Sequence, residues 1–242
     1  MKKIFSIFVM LLIVTVCCFA QKANVKKAYS KSEALFEDNP DYTAALDLIE
    51  PALQDETTKN DPYTWWVAAH IYDRMIGYEM YKQTMGQSSD NELMQEAAYK
   101  AYDYYLKAVE LEKIPNAKGK VSDKYTKKAV DMLIWFYNNG LIANYGETQR
   151  KYENYEDAIK AYEKHLAIPD LQFIKDSKFC SPKEGDNCPK KNNEIYWNVK
   201  FIVAICTQLS GDNDNAITKY EAIKDKGYEE NKIYQQLYYL YR

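Results

Sequence analysis

The amino-acid sequence predicts an all-α protein with a recurring helical motif. Three observations carry that expectation. Glycine and proline are scarce, 8 and 7 copies in 242 residues, too few for the tight turns of a β-sandwich or barrel. The composition is that of a folded chain, 47% hydrophobic and 28% charged, with charges interspersed as on solvated helix faces. Finally, one motif recurs: an Ala, a large residue four positions on and a packing residue at seven, all on one helix face. Its copies are Ala45/Ile49/Ala52, Ala101/Tyr105/Ala108, Ala158/Tyr162/His165 and Ala216/Tyr220/Ile223, with alanines 56, 57 and 58 residues apart.

Residues 1–20 read as an address. Lys2 and Lys3 precede an apolar run from Ile4 to Ala20, broken only by Ser6 and Thr15. That layout is a secretory signal peptide, with Ala20-Gln21 suited to cleavage. The run is close to the lower limit for crossing a bilayer, so a membrane anchor is the rival reading. The polar chain that follows at once favours removal. Cys17 and Cys18 suggest lipidation, but neither follows the Gly or Ala that a bacterial lipobox carries. Removal leaves 30 basic and 35 acidic side chains in residues 21–242, with no electrostatic footprint for nucleic acid or anionic lipid. No second apolar stretch is long enough to span a membrane. The expected product is exported, to the periplasm or the cell surface.

About four helix-pair units and a final half unit are expected in residues 21–242. In the first, Tyr29 and Phe36 lie ahead of Asp41-Tyr42, and Ala45 begins the second helix. Pro51 falls inside that helix and is expected to kink it by denying the Asp47 carbonyl a donor. The second unit opens on Trp65-x2-Ala68-Ala69-x2-Tyr72, and its extra residues lie between Tyr72 and Ala98, where Gly86, Ser88, Ser89 and Asp90 suggest a loop. In the third, extra residues are expected around Asn138 to Lys151, with Gly140 and Gly146. A polar insertion from Asp170 to Asn193 precedes the fourth, whose first helix carries Lys200-x2-Val203-Ala204-x2-Thr207. The same frame returns 34 residues later as Tyr234-x2-Leu237-Tyr238-x2-Tyr241. There Leu237 and Tyr241 share a face that Tyr234 extends, able to pack back on the fourth unit while the next groove stays open. An open apolar end marks an interface, so self-association through this helix, or cover by a partner, is expected.

These patterns resemble the tetratricopeptide repeat. Its first helix carries Trp-x2-Leu-Gly-x2-Tyr, its second a small residue that admits a neighbouring helix, and its period is 34. The likeness covers nearly all of residues 21–242, in degenerate copies whose spacing of 56 to 58 leaves room for lengthened helices and loops. It implies an α-solenoid of antiparallel helix pairs and a non-catalytic scaffold that holds a protein or peptide partner in a concave groove lined by first helices. Carried over, the groove positions are Tyr63, Trp66, His70, Asp73 and Arg74 in the second unit. In the fourth they are Asn198, Phe201, Ile205, Gln208 and Leu209. The Lys/Asn clamp of chaperone-binding members is missing, since Ser30 and Ala34 stand at those places.

The 23 tyrosines invite a second reading, glycan binding through exposed Tyr and Trp faces. Those on repeat positions (Tyr42, Tyr72, Tyr105, Tyr155, Tyr162, Tyr220) are expected to pack between helices. Tyr102, Tyr104 and Tyr105 cannot all face one way, nor can Tyr238 and Tyr239. Cys180 and Cys188 flank a Ser-Pro-Lys-Glu-Gly-Asp-Asn loop and are expected to form a disulfide in an oxidising compartment. A metal is the weaker rival, with no His nearby. Cys206 is expected to be a buried hydrophobe. Phosphate-loop, dinucleotide and zinc-protease motifs are missing. The Asp212/Asp214 hint of a calcium loop fails at Ile217 and Ile223. No catalytic residue, metal or cofactor is expected.

Overall fold

A computed structural model describes residues 21–115, 119–180, 190–224, 226 and 228–242, without the side chains of 190–193. The expected signal peptide with Cys17 and Cys18, and Cys188 of the expected bridge, lie outside the described residues. The fold is all-α, 77% helical, with no strand among the described residues. After α1 (residues 21–32) come α2 (Tyr42–Gln54), α3 (Pro62–Thr84), α4 (Asn91–Glu112), α5 (Lys124–Asn139) and α6 (Leu141–Lys151). Then follow α7 (Tyr155–Ala167), α8 (Gln172–Asp176), α9 (Lys190–Leu209), α10 (Asn213–Glu221) and α11 (Glu230–Leu240). Helices pack in sequence order, α2 on α3, α3 on α4, α6 on α7, α9 on α10 and α10 on α11, with α7 reaching past the short α8 to α9. Two compact units result, Met1–Ala129 and Val130–Arg242, with the division inside α5.

The repeated motif is the core. All twelve of its residues, from Ala45 to Ile223, are at most 3% exposed. Four aspartates start helices by accepting a backbone N–H with the side chain. Asp41 begins α2, Asp61 α3, Asp90 α4 and Asp212 α10; the supposed calcium residue Asp212 is a helix cap.

In the first unit, two buried glutamates fasten one helix to the next. Glu79 of α3 accepts the Asp90 N–H at 2.7 Å and pairs with Lys82. Glu112, the last residue of α4, accepts from Tyr125 N–H, Thr126 N–H and the hydroxyls of Ser122 and Thr126. It thereby serves the free donors of the first turn of α5. Burial pushes the Glu112 carboxyl up, but those bonds together outweigh it and hold it below its ordinary range.

In the second unit, α9 is buried on two sides. Tyr196, Val199, Val203 and Cys206 pack with Ala158, Tyr162 and Leu166 of α7. Phe201 and Ala204 pack with Ala216, Tyr220 and Ile223, and with Ile233 and Leu237 of α11. Cys206 is a free, buried thiol.

Several sequence expectations change in detail. Pro51 lies within α2 without ending it, since the helix continues to Gln54, and it leaves the Asp47 carbonyl without a helical donor. Between Tyr72 and Ala98 the extra residues are lengthened helices with a short loop, as the spacing allowed: α3 and α4 have 23 and 22 residues and are joined by residues 85–90. Residues 141–151 are no insertion but α6, the helix that packs on α7. Only Gly140 separates it from α5, at φ 64°, a conformation that suits glycine. The start of the supposed polar insertion is partly core, since Ile174 of α8 is fully buried. On α11 the packing pair is Ile233 and Leu237, while Tyr234 and Tyr241 are 51% and 63% exposed.

Gly146 of α6 has a packing role. A Cβ there would stand 3.0 Å from the Tyr162 ring and 3.1 Å from the Ala158 carbonyl oxygen. Alanine ordinarily favours a helix over glycine by about 1 kcal/mol, but overpacking costs roughly 1–3 kcal/mol. Because Tyr162 is 1% exposed and has nowhere to move, the clash dominates. Gly146→Ala is expected to destabilise the protein by about 1 kcal/mol net in urea unfolding; a stabilised variant would refute the close approach.

Candidate functional site

On α3, Tyr63, Trp66, His70 and Arg74 fall at intervals of three, four and four and share one stripe. Trp66 is stacked between Tyr63, 6.0 Å away, and His70, 4.9 Å away. Tyr29 of α1 approaches its ring to 5.7 Å and Tyr125 of α5 to 5.5 Å. The Lys128 ammonium lies 4.2 Å from the Trp66 ring centroid, a cation–π contact. At 5% exposure Trp66 is a packed residue. Its neighbour Trp65 is half-buried and donates Nε1–H to the Lys59 carbonyl at 2.6 Å.

His70 and Arg74 are engaged within the chain. His70 Nε2 is 2.6 Å from Glu33 Oε1; burial lowers its pKa, with Glu33 opposing. Arg74 donates to the carbonyls of Ser32 and Ala34, both at 3.0 Å, and lies over the Phe36 ring. It thus serves the unpaired carbonyls at the end of α1. Phe201 belongs to the second unit, 9% exposed and packed near Tyr220 and Tyr228. Tyr63, Trp66, His70 and Arg74 are therefore brought together, and Phe201 sits in the core of the other unit.

Tyr125 and Lys128 were missed as partners of this cluster. They open α5, and only their i, i+3 spacing hinted at a shared face. Tyr125 also lines a cleft of about 510 Å³ with Lys22, Pro62, Leu111, Pro115 and Lys120. The buried stack thus reaches an open surface at Tyr125.

Two other places collect polar or aromatic groups. Tyr234, Tyr238 and Tyr239 on α11 and Tyr241 just after it are each more than half exposed, with Arg242 over the Tyr238 ring at 4.6 Å. Of the earlier cluster, Tyr102 and Tyr105 are buried, and Tyr104 stacks on Tyr72 at 5.8 Å. His165 is fully buried with neither ring nitrogen hydrogen-bonded and stacks on Tyr137 at 4.5 Å. Desolvation lowers its pKa to about 4, so it packs as a neutral ring. Among the described residues no group of three or more His, Cys, Asp or Glu could hold a metal, and no helix is long and apolar enough to cross a membrane. Comparison with protein-family models gives no match, and comparison with curated proteins gives none.

Asp73, one of the expected groove residues, turns inward. It accepts a hydrogen bond from the Tyr105 hydroxyl, and its Oδ1 is buried without a partner. Desolvation raises its pKa to about 8, the tyrosine opposing. The folded state therefore holds this proton more tightly than the unfolded chain does. Its stabilising effect is complete below about pH 4 and is lost as pH rises toward 8. Chemical denaturation of the wild type and Asp73→Asn across that window is expected to show a falling wild-type curve and a flatter variant; parallel curves would place the titration elsewhere.

Proposed function

We propose that this chain is an exported, non-catalytic scaffold of tetratricopeptide-like type, an α-solenoid that binds a protein or peptide partner. Support for the solenoid comes from the sequential packing of helices and from the burial of every repeat-motif residue. The observation that carries the binding reading is the aromatic stack of the first unit. It runs from Tyr29 through Trp66 to Tyr125, which borders an open cleft lined also by Pro62, Leu111, Ile114 and Pro115. Such a cleft, with apolar and polar groups together in its lining, takes a side chain of a partner as an anchor while the packed stack keeps the wall rigid.

A second reading rests on α11, whose exposed tyrosines are suited to stacking on sugar rings. The same surface, with a buried Ile233/Leu237 stripe beneath it, also fits self-association. Screening the purified protein on a random-peptide array beside a glycan array separates these readings. Peptide signals are expected, weakened on the order of tenfold or more by Tyr125→Ala and untouched by Tyr238→Ala with Tyr239→Ala. Glycan signals alone, lost on changing the α11 tyrosines, would establish the second reading instead.

A further inference from the structure

We infer that the second compact unit, Val130–Arg242, is opened by acid through His165, a ring that has no place for a proton while it stays packed. His165 is fully buried, and neither of its ring nitrogens has a hydrogen-bond partner. The Tyr137 hydroxyl is likewise buried and unpartnered, and the two rings lie 4.5 Å apart and 10° from parallel. Packing alone does not ask for an imidazole here. The other three copies of the motif carry Ala52, Ala108 and Ile223 at this position, each at most 3% exposed. An imidazolium needs acceptors for two N–H groups, and a buried charge without them is driven out to water.

No neighbouring charge relieves that cost. α7 packs on α6, α9 and the turn Ile168–Asp170, and α5 reaches His165 through Tyr137. On α6, Glu147 is paired with Arg150 and accepts the Tyr162 hydroxyl. Asp170 lies 3.7 Å from Lys175 and, with Tyr196 of α9, acts on Tyr137. Cys206 of α9 is a neutral thiol, pushed up to about 11 by burial. On α7 itself Glu163 pairs with Lys219 at 3.6 Å, and Lys164 is a like charge one residue away. None of these moves His165, whose pKa burial alone lowers from 6.5 to about 4. The packed ring thus refuses a proton that the opened chain accepts. Its contribution to stability is complete above pH 6.5 and is lost as pH falls toward 4. The first unit answers acid differently. Its His70 has Glu33 at 2.6 Å to receive the proton in place, and its Asp73 stabilises more as pH falls. Under the proposed export the chain meets the pH of its surroundings, and acidity then decides whether the second unit stays closed.

The test is amide hydrogen exchange of the purified protein, read by mass spectrometry and corrected for the intrinsic pH dependence of exchange. Between pH 7 and 5, peptides from α7 and α9 are expected to lose protection on the order of twentyfold, as one extra proton enters the open form. Peptides from α3 and α4 are expected to lose much less. His165→Leu is expected to flatten the response of α7 and α9, and His70→Gln to leave it as in the wild type. In the wild type the His165 ring, followed by NMR, is expected to remain neutral at pH 5; this reading stands even where His165→Leu does not fold. Full protection of α7 and α9 at pH 5, an equal loss in both units, an undiminished loss in His165→Leu, or a His165 ring that titrates near 6.5 in the folded protein would each overturn the inference.

Discussion

A tyrosine wedged behind a buried alanine is the contact on which the rest of the packing depends. Tyr105, Tyr162 and Tyr220 are at most 1% exposed, four residues after alanines that are fully buried. Alanine removes the bulk that would hold two helices apart, and the ring fills the space so opened. A buried hydroxyl must still find an acceptor. Each finds one on an earlier helix: Tyr105 on Asp73 of α3, Tyr162 on Glu147 of α6, Tyr220 on Gln208 of α9. The first copy uses Ile49 and avoids the requirement.

The three acceptors meet the same demand with different electrostatics. Gln208 is neutral and indifferent to pH. Glu147 bonds Arg150 first and Tyr162 second, which holds its carboxyl below the ordinary range despite partial burial. Asp73 has no cation in that role, and burial drives its pKa upward. The repeat is therefore geometric rather than chemical. It conserves the ring and its place, while each unit settles the charge of the acceptor separately.

That division explains what could be read from the residues alone. The motif was legible because it follows helix periodicity, and all four copies are buried as its spacing required. Tyr63, Trp66, His70 and Arg74 were legible as one stripe for the same reason. Less accessible were contacts that depend on where a helix ends. Glu112 reaching Tyr125 and Thr126 spans 13 and 14 residues, across a turn that no period predicts. Residues 141–151 looked like an insertion because Gly140 and Gly146 suggested loop. One ends a helix in the left-handed region, and the other admits Tyr162. On α11 the sequence frame set Leu237, Tyr234 and Tyr241 on the packing face; Leu237 is buried there, but it is joined by Ile233 rather than the tyrosines against the core formed by Phe201, Ala204 and Tyr220.

The same reasoning locates the proposed recognition chemistry. A side chain that satisfies its own fold has little left for a partner, and most of the expected groove has been used in this way. Trp66 is packed, His70 is bound to Glu33, Arg74 serves carbonyls of the α1 end, and Asp73 faces Tyr105. Tyr125 differs because one side of it continues the stack and another borders the cleft. Under the proposed reading, the groove residues act as the support that fixes Tyr125. Rigid support lowers the ordering cost of binding, so the selective contacts belong where the stack ends rather than along its length.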